Sequence, residues 1–271
     1  MSIPPFAAVI TAAGASSRFS AGGKEAVKKE YLSIDGHTVL YRATKPFFNV
    51  PGLSAIVITC PEGSEDETIV ALEDLADISA LPFLIVPGGM TRKESVRAAL
   101  DSLKELAVPF DYIAIHDGAR PFVDEGLIIR TLAAATVTGG AVPALRVTDA
   151  VKKLGKDGLI SESVDRSSLI TVQTPQIFRK EELFDAYDRY PSMEADDDAS
   201  VFISAGYSCT VSRGNAENRK ITYITDIPDA EKQAEEYIKA RAEGRKSAAA
   251  SKRMRELLQK GDKWDESGNR E

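Results

Sequence analysis

Residues 11–32, TAAGASSRFSAGGKEAVKKEYL, set a run of small side chains before one arginine and a knot of lysines. After the apolar run that ends at Thr11, Ala12, Ala13, Gly14, Ala15, Ser16 and Ser17 carry nothing large enough to hold a ligand away from the backbone. Exposed N–H groups in such a turn, followed by a helix start, can cradle a phosphate. Arg18 and Lys29 would flank the cradle, where a guanidinium and an ammonium neutralise charge that grows on transferring phosphoryl oxygens. The bland reading of the same residues is a tight strand-to-helix connection, with Lys24 and Lys28 as a solvated basic patch. The stretch is not GxGxxG, and it lacks the GK[ST] of a P-loop, so dinucleotide and P-loop chemistry both lose ground.

Asp117 closes the run YIAIHD, and a carboxylate at a strand's end beside phosphates is a fitting hard-cation ligand. Its alternative is an Asx cap of the turn before Arg120 and Pro121. Taken alone, Arg166 in SVDRS reads as half of an ion pair with Asp165 or a neighbouring acid. Lys220 in AENRKITY, taken alone, reads as a strand-end lysine in water. His37 and His116 are the only histidines and have no metal-spaced partner, so both read as hydrogen-bonding structural residues. Asp196, Asp197 and Asp198 read as first-turn acids of a helix rather than a metal cluster.

The bulk composition limits the partners. The 271 residues carry a net charge of -7, with 43% apolar and 28% charged residues. That balance fits an ordinary globular chain and argues against a general nucleic-acid or acidic-membrane binder, so an anionic ligand must find a local cationic pocket. Two distant cysteines, Cys60 and Cys209, suit a reducing compartment and core packing. With no basic leader and no apolar stretch of bilayer length, the expected location is cytoplasmic.

Apolar, β-branched runs at 7–11, 54–60, 83–87, 112–117 and 140–147 alternate with amphipathic segments at 38–48, 64–76, 91–106 and 125–136. This alternation predicts an α/β fold, a Rossmann-like, doubly wound and mainly parallel sheet with ligands beyond the carboxyl ends of the strands. Around the turn Gly155-Lys156-Asp157-Gly158 the pattern changes to that of a β-ribbon, giving an expected arm over about 148–178. Helices are expected at 180–190, 197–205 and from 229, and strands at 208–212 and 220–224. Residues 1–238 are read as one domain, and the charged, Ala-rich 239–271 as a helical or disordered tail.

Taken together, AAGASSR, KKEYL, Gly88-Gly89, RKESV at 92–96, HDGARP at 116–121, VDR at 164–166 and TPQ at 174–176 resemble the 2-C-methyl-D-erythritol 4-phosphate cytidylyltransferase family, over roughly residues 6–238. The resemblance implies a nucleotidyltransferase that joins CTP to a polyol phosphate and releases pyrophosphate, using Mg2+ and working as a homodimer through the arm. It implies Arg18, Lys29 and Lys220 as the catalytic cations on the triphosphate. Ala12, Ala13, Gly14, Gly88, Gly89, Ser95 and Asp117 would bind the nucleotide, with Asp117 also holding the metal. Arg166, reaching into the other subunit, and Thr148 would bind the acceptor. Lys28 stands where the family has a proline, which leaves Lys28 or Lys29 as the active cation. Met90 replaces an acid after the Gly pair, Ala150 a threonine and Asp196 a small hydroxyl residue, so ribitol 5-phosphate stays open as the acceptor. The altered KKEY also admits a nucleotide-binding subunit without turnover.

Overall fold

A computed structural model of the chain describes residues 3–14, 19, 27–75 and 81–242. In chain order the elements are β1 (Phe6–Thr11), β2 (Ser33–Ile34), β3 (His37–Thr38), α1 (Val39–Phe48), β4 (Leu53–Cys60), α2 (Glu65–Ala71), β5 (Phe83–Pro87) and α3 (Arg92–Lys104). They continue as β6 (Tyr112–Asp117), α4 (Glu125–Thr138), β7 (Gly140–Arg146), β8 (Val151–Leu154), β9 (Ile160–Val164), β10 (Ile170–Val172) and β11 (Gln176–Arg179). Then come α5 (Lys180–Arg189), α6 (Asp198–Ser204), β12 (Cys209–Arg213) and α7 (Ala230–Ala242).

The central strands run β5-β4-β1-β6 in parallel, β11 then enters antiparallel between β6 and β7, and β12 lies parallel to β7. Parallel strands need crossover connections, and α1 and α3 supply them. Along β1 the side chains alternate between two cores. Phe6, Ala8 and Ile10 join Ile56, Ile58 and Ala114 on one face, while Ala7 and Val9 join Val57, Ile113 and Ile115 on the other. Both faces are dry, which is why these strands read as unbroken apolar runs rather than as half-polar ones. Each fully buried Ile or Val contributes about 1.5–3 kcal/mol, and the sheet is thereby a stiff platform whose carboxyl ends can hold a site.

Three expectations need correction. Residues 220–224 form no strand: Ile221 N–H bonds the Ala119 carbonyl at 2.8 Å, but the N–H groups of Thr222 and Tyr223 both turn back to Asp226 Oδ2 at 2.7 and 2.8 Å. A carboxylate that captures successive amides starts a 3-10 turn, here Ile224–Asp226, instead of a ladder. The arm is also shorter than 148–178. Only β8 and β9 form a separate ribbon, closed by a turn in which Gly158 takes φ +80°, whereas β10 and β11 return to the main sheet against β7. The helix expected over 64–76 ends at Ala71. Among the described residues no helix is long and apolar enough to cross a membrane. The tail beyond 242 lies outside the described residues.

Candidate active site

The carboxyl ends of β1, β5 and β6 converge on one place. After β1, Ala12 N–H bonds the Thr59 carbonyl at 3.0 Å, which ties the loop to the end of β4. The next loop, after β5, is pressed against it at Gly88: a Cβ there would lie 2.3 Å from Ala13 Cβ and 2.6 Å from Ser95 Oγ, so only glycine fits. At Gly89 a Cβ would fall 2.3 Å from Glu94 Cβ. At Gly14, by contrast, a Cβ would meet nothing within 4 Å among the described residues.

The β5 loop is held by the start of α3. Thr91 Oγ1 accepts from Glu94 N–H at 3.1 Å, and Glu94 Oε2 accepts from Thr91 N–H at 3.0 Å, a reciprocal capping box. Ser95 is buried and donates its hydroxyl to the Thr91 carbonyl at 2.9 Å, while accepting from Gly89 N–H at 3.2 Å. Ala12, Ala13, Gly14, Gly88, Gly89 and Ser95 are therefore brought together, as two side-chain-poor loops side by side.

Lys28 reaches the first loop and donates to the Gly14 carbonyl. Its side chain is 13% exposed, so it does not belong to a solvated patch, and burial lowers its pKa. The stem packs because the Lys28-Lys29-Glu30-Tyr31-Leu32 turn inserts Glu30, Tyr31 and Leu32. Lys29 points the other way, donating to the Ile221 carbonyl at 2.6 Å, next to Lys220. Arg18 and Lys24 lie outside the described residues.

Asp117 is the centre of the charge. Its Oδ1 accepts from Arg92 Nε at 3.2 Å, its Oδ2 accepts from Lys220 Nζ at 2.8 Å, and Arg120 Nε lies 3.5 Å from the same Oδ2. Burial would raise the pKa of this carboxyl, but Arg92, Lys220 and Arg120 together hold it far below the usual carboxylate range. Arg92 also donates through Nη2 to Asp198 Oδ2 at 2.7 Å, and the fully buried Asp198 accepts at Oδ1 from Tyr187 Oη–H at 2.6 Å. Two carboxylates thus face three cations, leaving a net positive site in an acidic protein.

The backbone under Asp117 is fixed by His116, which is buried and pushed down to about 4 by its burial, so it is neutral near pH 7. His116 Nε2 lies 3.2 Å from the Arg120 carbonyl, an acceptor only, so Nε2 carries the proton. Nδ1 then accepts from the Thr174 hydroxyl at 3.0 Å, and that hydroxyl accepts from Asp117 N–H at 3.1 Å. Asn218 completes the support, donating to the Thr174 carbonyl at 2.8 Å, and its own carbonyl accepts from Arg120 Nη1 at 2.9 Å. Two buried atoms here, Arg120 Nε and Asn218 Oδ1, have no hydrogen-bond partner among the described residues.

Other expected residues lie apart or play other parts. Arg166 is exposed and donates to the Thr148 carbonyl, so the two acceptor candidates touch one another at the root of the ribbon. Among the described residues no hydrogen bond or ion pair joins them to Asp117. Asp165 turns to the N–H and hydroxyl of Ser167 at 2.9 and 2.8 Å instead of pairing with Arg166. Asp197 caps α6, accepting from Ser200 N–H at 2.9 Å, but Asp198 is an ion-pair partner rather than a cap. His37 is half-buried, with its Nδ1 3.0 Å from Asp74 Oδ2. A separate cleft of about 380 Å³ is lined by Tyr31, Asp66, Glu67, Asp74 and Tyr237.

Arg92, Arg120, Thr174, Asn218 and Asp198 were not among the expected site residues. Arg92 and Arg120 stand inside RKESV and HDGARP, two and three residues from Glu94 and Asp117, where a turn could have been seen to aim them. Nothing in the sequence pairs Asp198 with Arg92.

The chain is similar to known proteins in sequence and in fold. The family model described as IspD, 2-C-methyl-D-erythritol 4-phosphate cytidylyltransferase, matches residues 6–236. A bifunctional enzyme IspD/IspF of Rhodopseudomonas palustris is 39% identical over 227 residues, covering 83% of this chain and 54% of the relative. The bifunctional enzyme of Rhodospirillum rubrum is 37% identical, covering 83% and 56%. The chain thus spans about half the length of these curated relatives. The solved 2-C-methyl-D-erythritol 4-phosphate cytidylyltransferase of Thermus thermophilus is similar with a TM-score of 0.64 at 30% identity, over 85% of this chain and 99% of that one. That of Francisella tularensis gives 0.66 at 25%, over 84% and 99%.

Proposed function

The chain belongs to the 2-C-methyl-D-erythritol 4-phosphate cytidylyltransferase family, and on that premise we propose that it transfers CMP from CTP to 2-C-methyl-D-erythritol 4-phosphate. An oxygen of the acceptor's phosphate attacks the α-phosphorus of CTP. A new P–O bond forms there, the bond from that phosphorus to the bridging oxygen breaks, and pyrophosphate leaves with the electron pair. One observation carries the reading: two side-chain-poor loops meet beside a cluster in which Arg92, Arg120 and Lys220 outnumber the local carboxylates.

Each part has a physical task. The loops Ala12-Ala13-Gly14 and Gly88-Gly89 let a nucleotide approach the backbone, and the start of α3 adds oriented N–H groups. Arg18, Lys29 and Lys220 are the proposed triphosphate cations; of the two adjacent lysines, Lys28 sits on the Gly14 carbonyl and Lys29 on the Ile221 carbonyl next to Lys220. Lys220 is bound to Asp117 before substrate arrives, so a phosphate oxygen must compete with that carboxylate for the ammonium. No general base is required, and His116, neutral and bonded at both ring nitrogens, is not placed to be one.

Mg2+ fits this donor set only with help. Among the described residues no three His, Cys, Asp or Glu side chains group as a metal site, and Asp117 is the one carboxylate at the strand ends. That is the kind of site Mg2+ uses when nucleotide phosphates bring the remaining oxygens. Asp117 would hold the ion, which would supply positive charge against the phosphates. A homodimer is also part of the reading. Arg166 is unattached to its own chain's Asp117 cluster, and the ribbon exposes Leu154, Leu159 and Ile160, apolar surface suited to a second subunit.

The test is pyrophosphate release with a panel of nucleotides and polyol phosphates. CTP with 2-C-methyl-D-erythritol 4-phosphate is expected to turn over fastest. Turnover only with ribitol 5-phosphate would reassign the acceptor, and no release with any CTP and polyol-phosphate pair would overturn the proposal.

A further inference from the structure

We propose that Asp198, acting through Arg92, is a positioning residue that holds the Asp117 carboxylate in place when substrate draws Lys220 away. The kinetic part of this inference rests on the cytidylyltransferase reading; the structural part does not.

The geometry is a chain of directed bonds that runs outward from the site. Lys220 Nζ sits on Asp117 Oδ2 at 2.8 Å, Asp117 Oδ1 accepts from Arg92 Nε at 3.2 Å, Arg92 Nη2 donates to Asp198 Oδ2 at 2.7 Å, and Asp198 Oδ1 accepts from Tyr187 Oη–H at 2.6 Å. A guanidinium presents its donors in a rigid plane, so fixing Nη2 on one carboxylate aims Nε at the other. A lysine at position 92 would keep the charge but could not aim along both directions.

The anchor is firm where the site is not. Asp198 and Tyr187 are buried, and Asp198 opens α6, whose first N–H groups are themselves fixed: those of Asp198 and Ala199 donate to Gln176 Oε1 at 3.1 and 2.9 Å. The Lys220 side chain, by contrast, is 37% exposed and sits on a segment without ladder hydrogen bonds on either side of Ile221. When a phosphate takes the ammonium, Asp117 loses its closest partner. Without Asp198, Arg92 would be free to swing onto Asp117 with both edges of its fork and pull the carboxylate from its station. Tyr187 and Asp198 are buried and reach the site through Arg92, so their effect on turnover passes through Arg92.

A role as mere glue between α3 and α6 makes a different forecast, because it would lower stability and leave turnover per folded molecule unchanged. Asp198→Asn keeps the shape and an acceptor for Tyr187 but removes the charge. It is expected to lower kcat by about tenfold or more while moving KM for CTP by less than about threefold, because orientation rather than binding is lost. Tyr187→Phe should shift kcat in the same direction by a smaller factor, and Arg92→Lys should fail to restore it. Independently of activity, the Arg92 Nε–H signal in proton–nitrogen NMR spectra, assigned by its loss in Arg92→Lys, should be protected from solvent exchange in the native chain and lose that protection in Asp198→Asn and Tyr187→Phe. An unchanged Arg92 signal in folded Asp198→Asn overturns the inference, as does a native kcat. If Asp198→Asn does not fold, an unchanged signal in Tyr187→Phe does the same. A native chain with no turnover on any acceptor, but with the Arg92 signal lost in the variants, would sink the assigned reaction and leave the positioning role standing.

Discussion

Asp117 faces Arg92, Arg120 and Lys220, of which Arg92 also pairs with Asp198, and the arithmetic of charge decides what its removal does. Asp117→Asn leaves three cations around a neutral amide, and breaking a buried pair from one side costs about 3–5 kcal/mol. Lys220 reaches solvent, which places the expected loss at the low end of that range, measurable as a shift in the urea midpoint. Turnover should fall by at least about a hundredfold, since the residue orients both Lys220 and the metal-binding side of the site. Native stability in the variant would mean that the three cations are satisfied by water. Arg18→Lys tests the cradle read from the sequence: the charge is kept but the planar fork is lost, so kcat/KM should drop by about tenfold or more with little change in thermal midpoint. A near-native rate would remove Arg18 from the proposed triphosphate cations.

Among the elements, what the sequence made legible was whatever depends on near neighbours. The five central strands and the helices after β1, β5 and β6 follow from period-2 and period-3.6 patterns, and their observed bounds, such as 112–117 for β6, match those patterns. The loops were legible because small residues and glycine pairs have few other uses, as at Gly88 between Ala13 and Ser95. Long-range partnerships were not legible. β11 slides between β6 and β7 although its first residue, Gln176, lies 59 residues beyond the end of β6 at Asp117, and Asp198 finds Arg92 across a sequence gap of 106. Residues 220–224 looked like a strand because Ile, Tyr and Thr favour strands, but Asp226 offered their amides a nearer acceptor. The packed loop pair carries its own test. Gly88→Ala forces a methyl against Ala13 and Ser95, and overpacking of that kind costs about 1–3 kcal/mol. The loops should part, raising KM for CTP more than it lowers kcat in steady-state assays. A native KM would show that the nucleotide does not lie between them.

For the molecule as a whole, the site's rigidity and the stability of the fold meet in His116. Its ring lies in the dry interior at the end of β6, and its neutral form satisfies Thr174 on one side and the Arg120 carbonyl on the other. The folded pKa is pushed down to about 4 from an ordinary value near 6.5, chiefly by burial, against a smaller upward pull from Asp117. The sign follows directly: between those two values the unfolded chain binds a proton that the folded chain refuses, so stability falls as pH drops through 6.5 toward 4. The full span corresponds to roughly 3 kcal/mol for this group, since each unit is worth about 1.4 kcal/mol. Asp117 adds little over the same window until the pH nears the ordinary carboxylate range, because its folded form stays ionised far below it. His116→Gln removes the titration while keeping a donor and an acceptor. The variant is expected to be less stable at pH 7, but its urea midpoint should fall less steeply between pH 6.5 and 4.5 than that of the native chain. Parallel slopes for the two proteins would show that the ring accepts a proton in the fold, and that the neutral tautomer under Asp117 and Arg120 is not what holds the strand end in place.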